Sequence, residues 1–290
     1  MNNNDWLFLK VLAEERNITK AAKRLYITQP SLTEKIKKVE NDLNIKLINR
    51  QSRGIALTPA GEMLAQYAAQ SLADYRKLLE QLSEMQNEEV SGSIRLGCSN
   101  VFAKSRLPEL LADFHKAYPK VQVSLKTGFS QHLYRDFLHG ELQIIIIRDS
   151  HNWSQSKYMI WKEPLCIISA TPLDPKNLTQ IPYIHYHTET PLQYVLDEWW
   201  YIHYDKKPNL VSSIDSMDIC MDMVENGVGY TVLSESNTLR KPHLYKYPLR
   251  LENGAIVLKE TWMFHRYDCT KILALQTFIE FVLGKYPQQP

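Results

Sequence analysis

The chain has 290 residues, of which 44% are hydrophobic and 23% charged, and its formal net charge is +2. This length predicts two or three domains, and no stretch reaches the roughly 18 to 20 consecutive apolar residues that a membrane-spanning helix needs. The N-terminus lacks the basic start and cleavage site of a secretory signal, and four scattered cysteines without a Cys-x-x-Cys spacing are expected to stay reduced, so a cytoplasmic protein is expected.

The most informative segment, residues 18–57, starts with a brief helical pattern. Ala21, Ala22 and Leu25 supply its buried face, and Thr19 is its expected N-cap. Because the alanines are small, a second helix can approach closely. A short turn follows, so the spacing predicts two helices joined by a tight turn.

The second helical pattern has Thr28 as its expected N-cap and Pro30 in its first turn, where a missing N–H costs nothing. The residues expected to face inward are Leu32, Ile36, Val39 and Leu43. The residues expected to face outward and contact DNA are Gln29, Pro30, Ser31, Thr33, Glu34 and Lys37. Glutamine pairs with adenine, and lysine contacts phosphate or guanine. Two-helix patterns also occur in proteins that never bind DNA, so the pattern alone leaves DNA binding open.

A predicted hairpin wing follows this helix and adds Arg50 and Arg53 to the expected DNA contacts. Residues 1–58 hold 11 Lys and Arg against 6 Asp and Glu, a net charge of +5, whereas residues 59–90 have a net charge of −4. Positive charge gathered at one end of a nearly neutral chain indicates a phosphate-binding surface.

Residues 21–68 resemble the N-terminal signature of LysR-type transcriptional regulators. The shared features are the paired alanines before Leu25, the Gln29-Pro30-Ser31 opening, the spacing of Ile36, Glu40, Leu43 and Leu47, Arg50, and the run Leu57-Thr58-Pro59-Ala60-Gly61. Ile48 stands where the family usually has phenylalanine, a conservative apolar exchange.

This resemblance implies a regulator that binds double-stranded promoter DNA and responds to a small-molecule effector. It implies a homodimer or a homotetramer, with RNA polymerase as a further candidate partner. The expected fold is a winged helix-turn-helix (1–58), a linker helix (59–90) and a two-lobed α/β effector domain similar to periplasmic binding proteins (91–290). No cofactor and no metal are expected.

The linker segment carries a heptad seam over three repeats, formed by Leu64, Ala68, Ser71, Tyr75, Leu78, Leu82 and Met85. An apolar seam on a long helix must be buried against a partner. The partner is either the chain's own globular domain or a second chain. The resemblance implies the second chain and makes this helix the dimer contact.

From residue 91 onward, strand and helix patterns alternate, which predicts two α/β units joined by crossing strands. Lobe I is expected at about 91–162 and 266–290, and lobe II at about 163–265. Ligands of such sheets bind beyond the carboxyl ends of the strands. The residues expected there, and therefore expected to bind the effector, are Ser99, Asn100, Phe102, Thr127, Gly128, Ser130, Arg148, Ser213 and Ile214.

Two positions in this region affect the expected chemistry. A guanidinium at Arg148 suits a carboxylate effector, unless Asp149 or another nearby acid neutralises it. Gln143 stands where the family usually has aspartate, so an interaction normally made by that charge is expected to be absent or altered.

Two further motifs have ordinary explanations. His185 and His187 share one face of a predicted strand, but no third ligand is near, so a metal site is not expected. Trp199, Trp200, Tyr201 and Tyr204 are expected to pack a helix, with a cleft cover or an oligomer contact as alternatives. No catalytic motif is present, so an enzyme is not predicted. A solute-binding module is the runner-up for the C-terminal region.

Overall fold

The computed structural model describes residues 3–51, 54–84, 89–148, 151–188, 190–267, 269 and 272–286. The described chain forms a small helical domain, one long helix and a two-lobed α/β domain, in that order. Within the described ranges, no helix has both the length and the apolar composition needed to cross a bilayer.

Three helices and a hairpin build the N-terminal domain: α1 (Asn3–Glu15), α2 (Ile18–Arg24), α3 (Gln29–Leu43), β1 (Ile48–Arg50) and β2 (Ile55–Leu57). The N-cap of α2 is Asn17 rather than Thr19, because the Asn17 side chain accepts the N–H of Lys20 at 3.0 Å. Thr28 caps α3 as predicted, accepting the N–H of Ser31 at 3.3 Å.

The inward face of α3 agrees with the helical spacing over most of its length. Leu32, Ile36 and Val39 are buried together with Ala21 and Ala22 of α2. Leu43 was expected to face inward but is 42% exposed. The helix ends at this residue, and Asn44 takes a left-handed conformation with φ of 49°, so no further turn covers the side chain.

The hairpin is tied to α3 through the carboxylate of Glu40, which is 8% exposed. It accepts the N–H of Leu47 at 2.8 Å and the Lys46 ammonium at 3.3 Å. Gly61 lies against the same segment, where a Cβ would stand 2.1 Å from the carbonyl oxygen of Leu47. Only glycine permits this approach, so the hairpin, α3 and the following helix are held as one unit.

The predicted seam lies on the long helix α4 (Pro59–Glu84), and its residues fall into a buried part and an exposed part. Leu64 and Ala68 pack into the N-terminal core with α1, so they contact their own chain. Ser71 is half-buried, and Met85 lies outside the described residues. The three remaining seam residues, Tyr75, Leu78 and Leu82, are 45%, 49% and 48% exposed.

Lobe I contains β3 (Gly92–Ser99), α5 (Asn100–Ser105), α6 (Leu107–Ala117), β4 (Val121–Gly128), α7 (Ser130–Leu138), β5 (Ile144–Arg148) and the C-terminal helix α10 (Leu273–Lys285). Strand β3 pairs in parallel with β4 and with β5. Helix α10 returns to this lobe, where Phe278 packs edge-to-face on Phe114 of α6 with ring centroids 4.9 Å apart.

Lobe II contains β7 (Pro182–Tyr186), α8 (Thr190–His203), β8 (Asn209–Ile214), α9 (Met217–Glu225), β9 (Thr231–Ser234), a 3-10 helix (Glu235–Thr238) and β10 (Tyr245–Pro248). Strand β7 pairs in parallel with β8. A short 3-10 turn, Pro175–Asn177, precedes β7.

Two antiparallel strands join the lobes, as the sequence predicts, and their bounds are β6 (Ser156–Ser169) and β11 (Leu258–His265). In lobe I, β11 pairs with β5 and with β6. The far end of β6 continues into lobe II and pairs with β9 and β10. The mixed α/β fold with two lobes is therefore confirmed.

Lobe I also contacts the N-terminal half of the chain. The Lys10 ammonium of α1 lies 3.1 Å from the Glu141 carboxylate.

Two sets of hydrogen bonds hold lobe I together internally. The Arg266 guanidinium donates to the carbonyl oxygens of Phe137 and Leu138 at 2.9 and 2.7 Å. Gln143, where an acid was expected, accepts the N–H of Arg95 at 2.8 Å, so its amide oxygen joins β3 to the segment before β5.

Candidate functional site

The outward face of α3 carries the residues that the sequence predicts for DNA contact. Gln29, Pro30, Glu34 and Lys37 are exposed, and Ser31 and Thr33 are half-buried. The Thr19 hydroxyl of α2 donates to the side-chain oxygen of Gln29 at 3.1 Å and so orients its amide. Among the described residues, no acid lies within 4 Å of the Lys37 ammonium, which leaves this charge available for a phosphate.

Two neighbouring residues, Thr33 and Tyr26, change the expected contacts. The Thr33 hydroxyl donates to the carbonyl oxygen of Gln29 at 2.9 Å, so its proton is already used within the helix. Tyr26, for which no contact was predicted, is 96% exposed in the turn before α3, with φ of 54°. Arg50 is the last residue of β1, and Arg53 lies outside the described residues.

A cleft of about 60 Å³ opens between the two lobes. The lining residues from lobe I are Ser99, Asn100, Val101, Gly128, Phe129, Ser130 and Arg148. Those from lobe II are Tyr186, Thr188, Leu192, Met217, Leu233, Ser234 and Asn237, and Lys259 comes from β11. A polar wall of hydroxyl, amide and cationic groups is therefore assembled from both lobes.

The structure brings five of the predicted effector residues together: Ser99, Asn100, Gly128, Ser130 and Arg148. Phe102 instead lies in the core of lobe I, and the Thr127 side chain is exposed outside the lining. Ser213 and Ile214 are also outside it. The Ser213 hydroxyl lies 3.1 Å from His187 Nε2, and Ile214 packs on the core of lobe II.

The cleft residues of lobe II belong to elements that the sequence analysis did not predict to line the cleft. Ser234 is the last residue of β9, so the rule that sites lie beyond strand ends points to it. Lys259 lies on an antiparallel crossing strand, and no sequence signal marks it as a cleft residue.

Arg148 already has an acidic partner within the chain. Its guanidinium forms an ion pair with Glu163 of β6 and donates to the Ser234 hydroxyl at 2.8 Å. The other Glu163 oxygen accepts the N–H of Ser236 at 2.8 Å. The alternative of a neutralising acid is therefore correct, with Glu163 in that role, while Asp149 lies outside the described residues.

Other groups in the cleft still lack partners. The Ser99 hydroxyl is on a side chain that is only 4% exposed, and it has no hydrogen-bond partner among the described residues. The same holds for Nε of Arg148. A buried polar group without a partner costs free energy that a bound ligand can recover. The ligand-facing wall is thus incompletely satisfied by the protein itself.

The electrostatics of the cleft favour a negatively charged group. Its described lining contains two cationic side chains, Lys259 and Arg148, the second of which Glu163 neutralises, and it contains no carboxylate. The N-termini of α7 and α9 have no side-chain cap. Backbone N–H groups at the N-terminal ends of helices favour anions.

The histidine pair is not part of a metal cluster in the described part of the chain. The rings of His185 and His187 meet edge-to-face, with centroids 5.2 Å apart. Burial lowers the pKa of His185, and the neighbouring His187 lowers it further. His185 is therefore neutral at pH 7.

Two family models match the chain. The model described as "LysR substrate binding domain" matches residues 87–287, and that described as "Bacterial regulatory helix-turn-helix protein, lysR family" matches residues 4–62. Among curated relatives, the uncharacterized HTH-type transcriptional regulator YraN of Bacillus subtilis is 33% identical over 98% of each chain. The HTH-type transcriptional regulator CzcR of the same organism is 26% identical over 88% of this chain and 89% of its own length.

Solved structures share the whole fold. A full-length single-residue variant of OxyR from Pseudomonas aeruginosa has a TM-score of 0.68 at 19% identity, covering 100% of this chain and 99% of its own. Full-length CbnR in complex with its target DNA has a TM-score of 0.65 at 18% identity, covering 98% and 99%. At such identities the likeness concerns the fold alone.

Proposed function

Because this chain belongs to the LysR family of DNA-binding transcriptional regulators, we propose that it reads promoter DNA through α3 and binds a small anionic effector between its lobes. The family consists of transcription regulators rather than enzymes. A regulator of promoter DNA works in the compartment that holds the DNA, and a cytoplasmic location is proposed on that ground.

The DNA contacts in this proposal come from α3 and its two flanks. Gln29, Ser31 and Lys37 are the principal candidates, since they are polar, accessible and adjacent. Glu34, Pro30 and Thr33 complete that face. Arg50, at the end of β1, and Arg53, which lies outside the described residues, are assigned to the DNA backbone. Tyr26 joins them, because its exposed ring and hydroxyl stand beside the start of α3.

The regulator is proposed to act as a dimer or a tetramer through the exposed part of the α4 seam, Tyr75, Leu78 and Leu82. Two α3 helices would then read two half-sites. Effector binding would favour one arrangement of the lobes and so change how the paired DNA-binding domains are held. RNA polymerase is proposed as a partner on the same grounds of family membership.

A single observation carries the effector proposal. The buried Ser99 hydroxyl lies in the interlobe cleft without a hydrogen-bond partner among the described residues, in a lining with two cationic side chains. A small carboxylate would accept a hydrogen bond from the hydroxyl and interact with the Lys259 ammonium. Because the Arg148 guanidinium is already paired with Glu163, we propose that it lines the cleft without forming a direct ion pair with the effector.

The DNA part is tested by mixing the purified protein with fragmented genomic DNA from its source and sequencing the recovered fragments. We expect a few promoter fragments that share an interrupted palindrome. Uniform recovery of all fragments, with or without the carboxylates of the effector test, would contradict promoter-specific reading.

The effector part is tested by measuring the thermal unfolding temperature with a panel of small carboxylates. We expect one of them to raise that temperature in the wild type, and the effect to disappear in Ser99→Ala and in Lys259→Met. Lys162→Met serves as the matched control, since Lys162 pairs with Glu260 outside the cleft lining. A panel without any effect, or an effect that survives Ser99→Ala, would exclude this site.

A further inference from the structure

A second cavity, of about 350 Å³, lies within lobe II between α8 and the strands β7, β8 and β9. It shares no lining residue with the interlobe cleft. Members of both motifs for which the sequence offered only ordinary explanations contribute to its walls: His185 of the histidine pair, and Trp199, Trp200 and Tyr201 of the aromatic run of α8. Neither DNA binding nor the interlobe cleft gives these residues a role.

The strand face beneath α8 carries the polar side chain of His185 beside the apolar side chains of Leu210 and Val232. Tyr183 and His185, two residues apart on β7, share that face, and the Tyr183 hydroxyl lies 3.4 Å from His185 Nδ1. The apolar residues of the same strand, Ile184 and Tyr186, pack on the other side into the core of lobe II. The helix therefore covers a mixed layer, in which Leu196 and Trp199 pack in one hydrophobic cluster with Tyr183 and Val232. His185 adds a hydrogen-bonding group to the wall of the cavity.

The opposite wall is aromatic, and the indole N–H groups of its two tryptophans are hydrogen-bonded within the chain. Trp199 is 6% exposed and donates its indole N–H to the carbonyl oxygen of Arg250 at 2.7 Å. Trp200 donates to the carbonyl oxygen of Lys206 at 2.8 Å. Together with Tyr201, these residues offer ring surface to the cavity. Aromatic surfaces of this kind bind flat rings and cations.

One carboxylate, the exposed side chain of Asp197, lines the cavity beside these rings. The Gln193 amide donates to one of its oxygens at 2.8 Å, which leaves the other as an acceptor. Burial and His187 lower the pKa of His185, and the opposing charge of Asp197 does not reverse that shift, so the imidazole is a neutral neighbour. Lys207 is the only cationic side chain in the described lining, and it is exposed to solvent.

We propose that the cavity under α8 binds an aromatic primary amine in its protonated form, with the ring against Trp200 and Tyr201 and the ammonium at Asp197. The aromatic walls match the ring by area and by quadrupole, and the carboxylate matches the charge. This would give lobe II a ligand site of its own, separate from the effector cleft.

The proposal is tested by isothermal titration calorimetry of the full-length protein at pH 7 with 2-phenylethylamine. Two analogues separate the contributions of ring and charge. Butylamine has the ammonium without the ring, and 3-phenylpropionate has the ring with the opposite charge. We expect 2-phenylethylamine to bind and each analogue to bind at least tenfold more weakly.

Variants then locate the bound amine. Asp197→Asn should raise the dissociation constant at least tenfold, whereas Glu198→Gln, the same change on the next residue of α8 but outside the lining, should leave it unchanged. Leu210→Trp, at a residue that lines the cavity and is 58% exposed, should block binding by filling space without disturbing the core. Ser99→Ala in the interlobe cleft should have no effect.

Three results would overturn the proposal. The first is no heat of binding with millimolar 2-phenylethylamine, and the second is equal affinity for 3-phenylpropionate. The third is binding that survives Asp197→Asn and Leu210→Trp but is lost in Ser99→Ala, which would place the amine between the lobes. Because the interlobe cleft is predicted to take anions, its failure and the failure of this site are distinguishable.

Discussion

The guanidinium of Arg148, at the end of β5, is ion-paired with the carboxylate of Glu163 on β6, and both side chains are more than nine-tenths buried. Ser234 and Ser236 complete the hydrogen bonds of this pair from lobe II. The pair therefore links the C-terminal end of β5 in lobe I to lobe II, beside the interlobe cleft.

Replacement of Glu163 by alanine should destabilise the effector domain strongly. Removing one partner of a buried ion pair leaves an uncompensated charge and costs about 3 to 5 kcal/mol. Urea unfolding of wild type and variant measures the difference. Glu260→Ala, which removes a more exposed partner of Lys162, should cost no more than about 1 kcal/mol. Equal losses in the two variants would contradict a special role for the buried pair.

Replacement of Lys37 by alanine should weaken binding to every DNA sequence by a similar factor. A lysine that contacts a phosphate contributes through counterion release, so the slope of log K against log salt should fall by about one. Fluorescence anisotropy at several salt concentrations measures this slope. Lys120→Ala, in lobe I and paired with Glu89, should leave it unchanged. An unaltered slope for Lys37→Ala would place this lysine away from the DNA.

Replacement of Leu78 by aspartate should separate the proposed dimer into monomers. The side chain is 49% exposed in the single chain, and a charge placed in an apolar contact between helices would be desolvated without a partner. Light scattering after size-exclusion chromatography gives the mass. Gln66→Asp introduces the same charge on α4 outside the seam and should keep the wild-type mass. A dimer that persists in Leu78→Asp would assign the contact to another surface.

The four cysteines should be inert towards oxidants in the folded protein. All four are buried, and burial raises the pKa of Cys98 and Cys220 and raises that of Cys166 to about 12. Since the thiolate is the reactive form, little of it is present at pH 7. A chromogenic aromatic disulfide should label no thiol before denaturation and all four cysteines afterwards. Rapid labelling of any native thiol, or peroxide-dependent DNA affinity, would show a redox function.

The N-terminal domain could be predicted closely because its determinants are local. Thr28 caps α3 by accepting the N–H of Ser31, only three residues later. Leu32, Ile36 and Val39 repeat at the helical period, so a short stretch of sequence is enough to predict the helix and its buried face. The prediction was wrong where a helix end decided the outcome. Asn17 rather than Thr19 is the N-cap of α2, and Leu43 is exposed because α3 ends there and the chain turns at Asn44.

The cleft could be predicted only in part. The strand-end rule led to Ser99 and Ser130, because β3 and β4 end at the same edge of one parallel sheet. The same rule led to Ser213, which lies outside the lining, since the end of β7 rather than of β8 reaches the cleft. It gave no hint of Lys259, whose place depends on antiparallel pairing with Glu163, far earlier in the chain.

The sequence by itself determined the winged helix-turn-helix, the long helix and the alternation of strands and helices, because caps, helical periods and apolar runs act over a few residues. Only the tertiary structure decided that Glu163 neutralises Arg148, that part of the α4 seam contacts its own chain, and that His185 and the tryptophans of α8 line one cavity. These outcomes depend on pairing and packing between distant segments, and such contacts leave no periodic trace in the sequence.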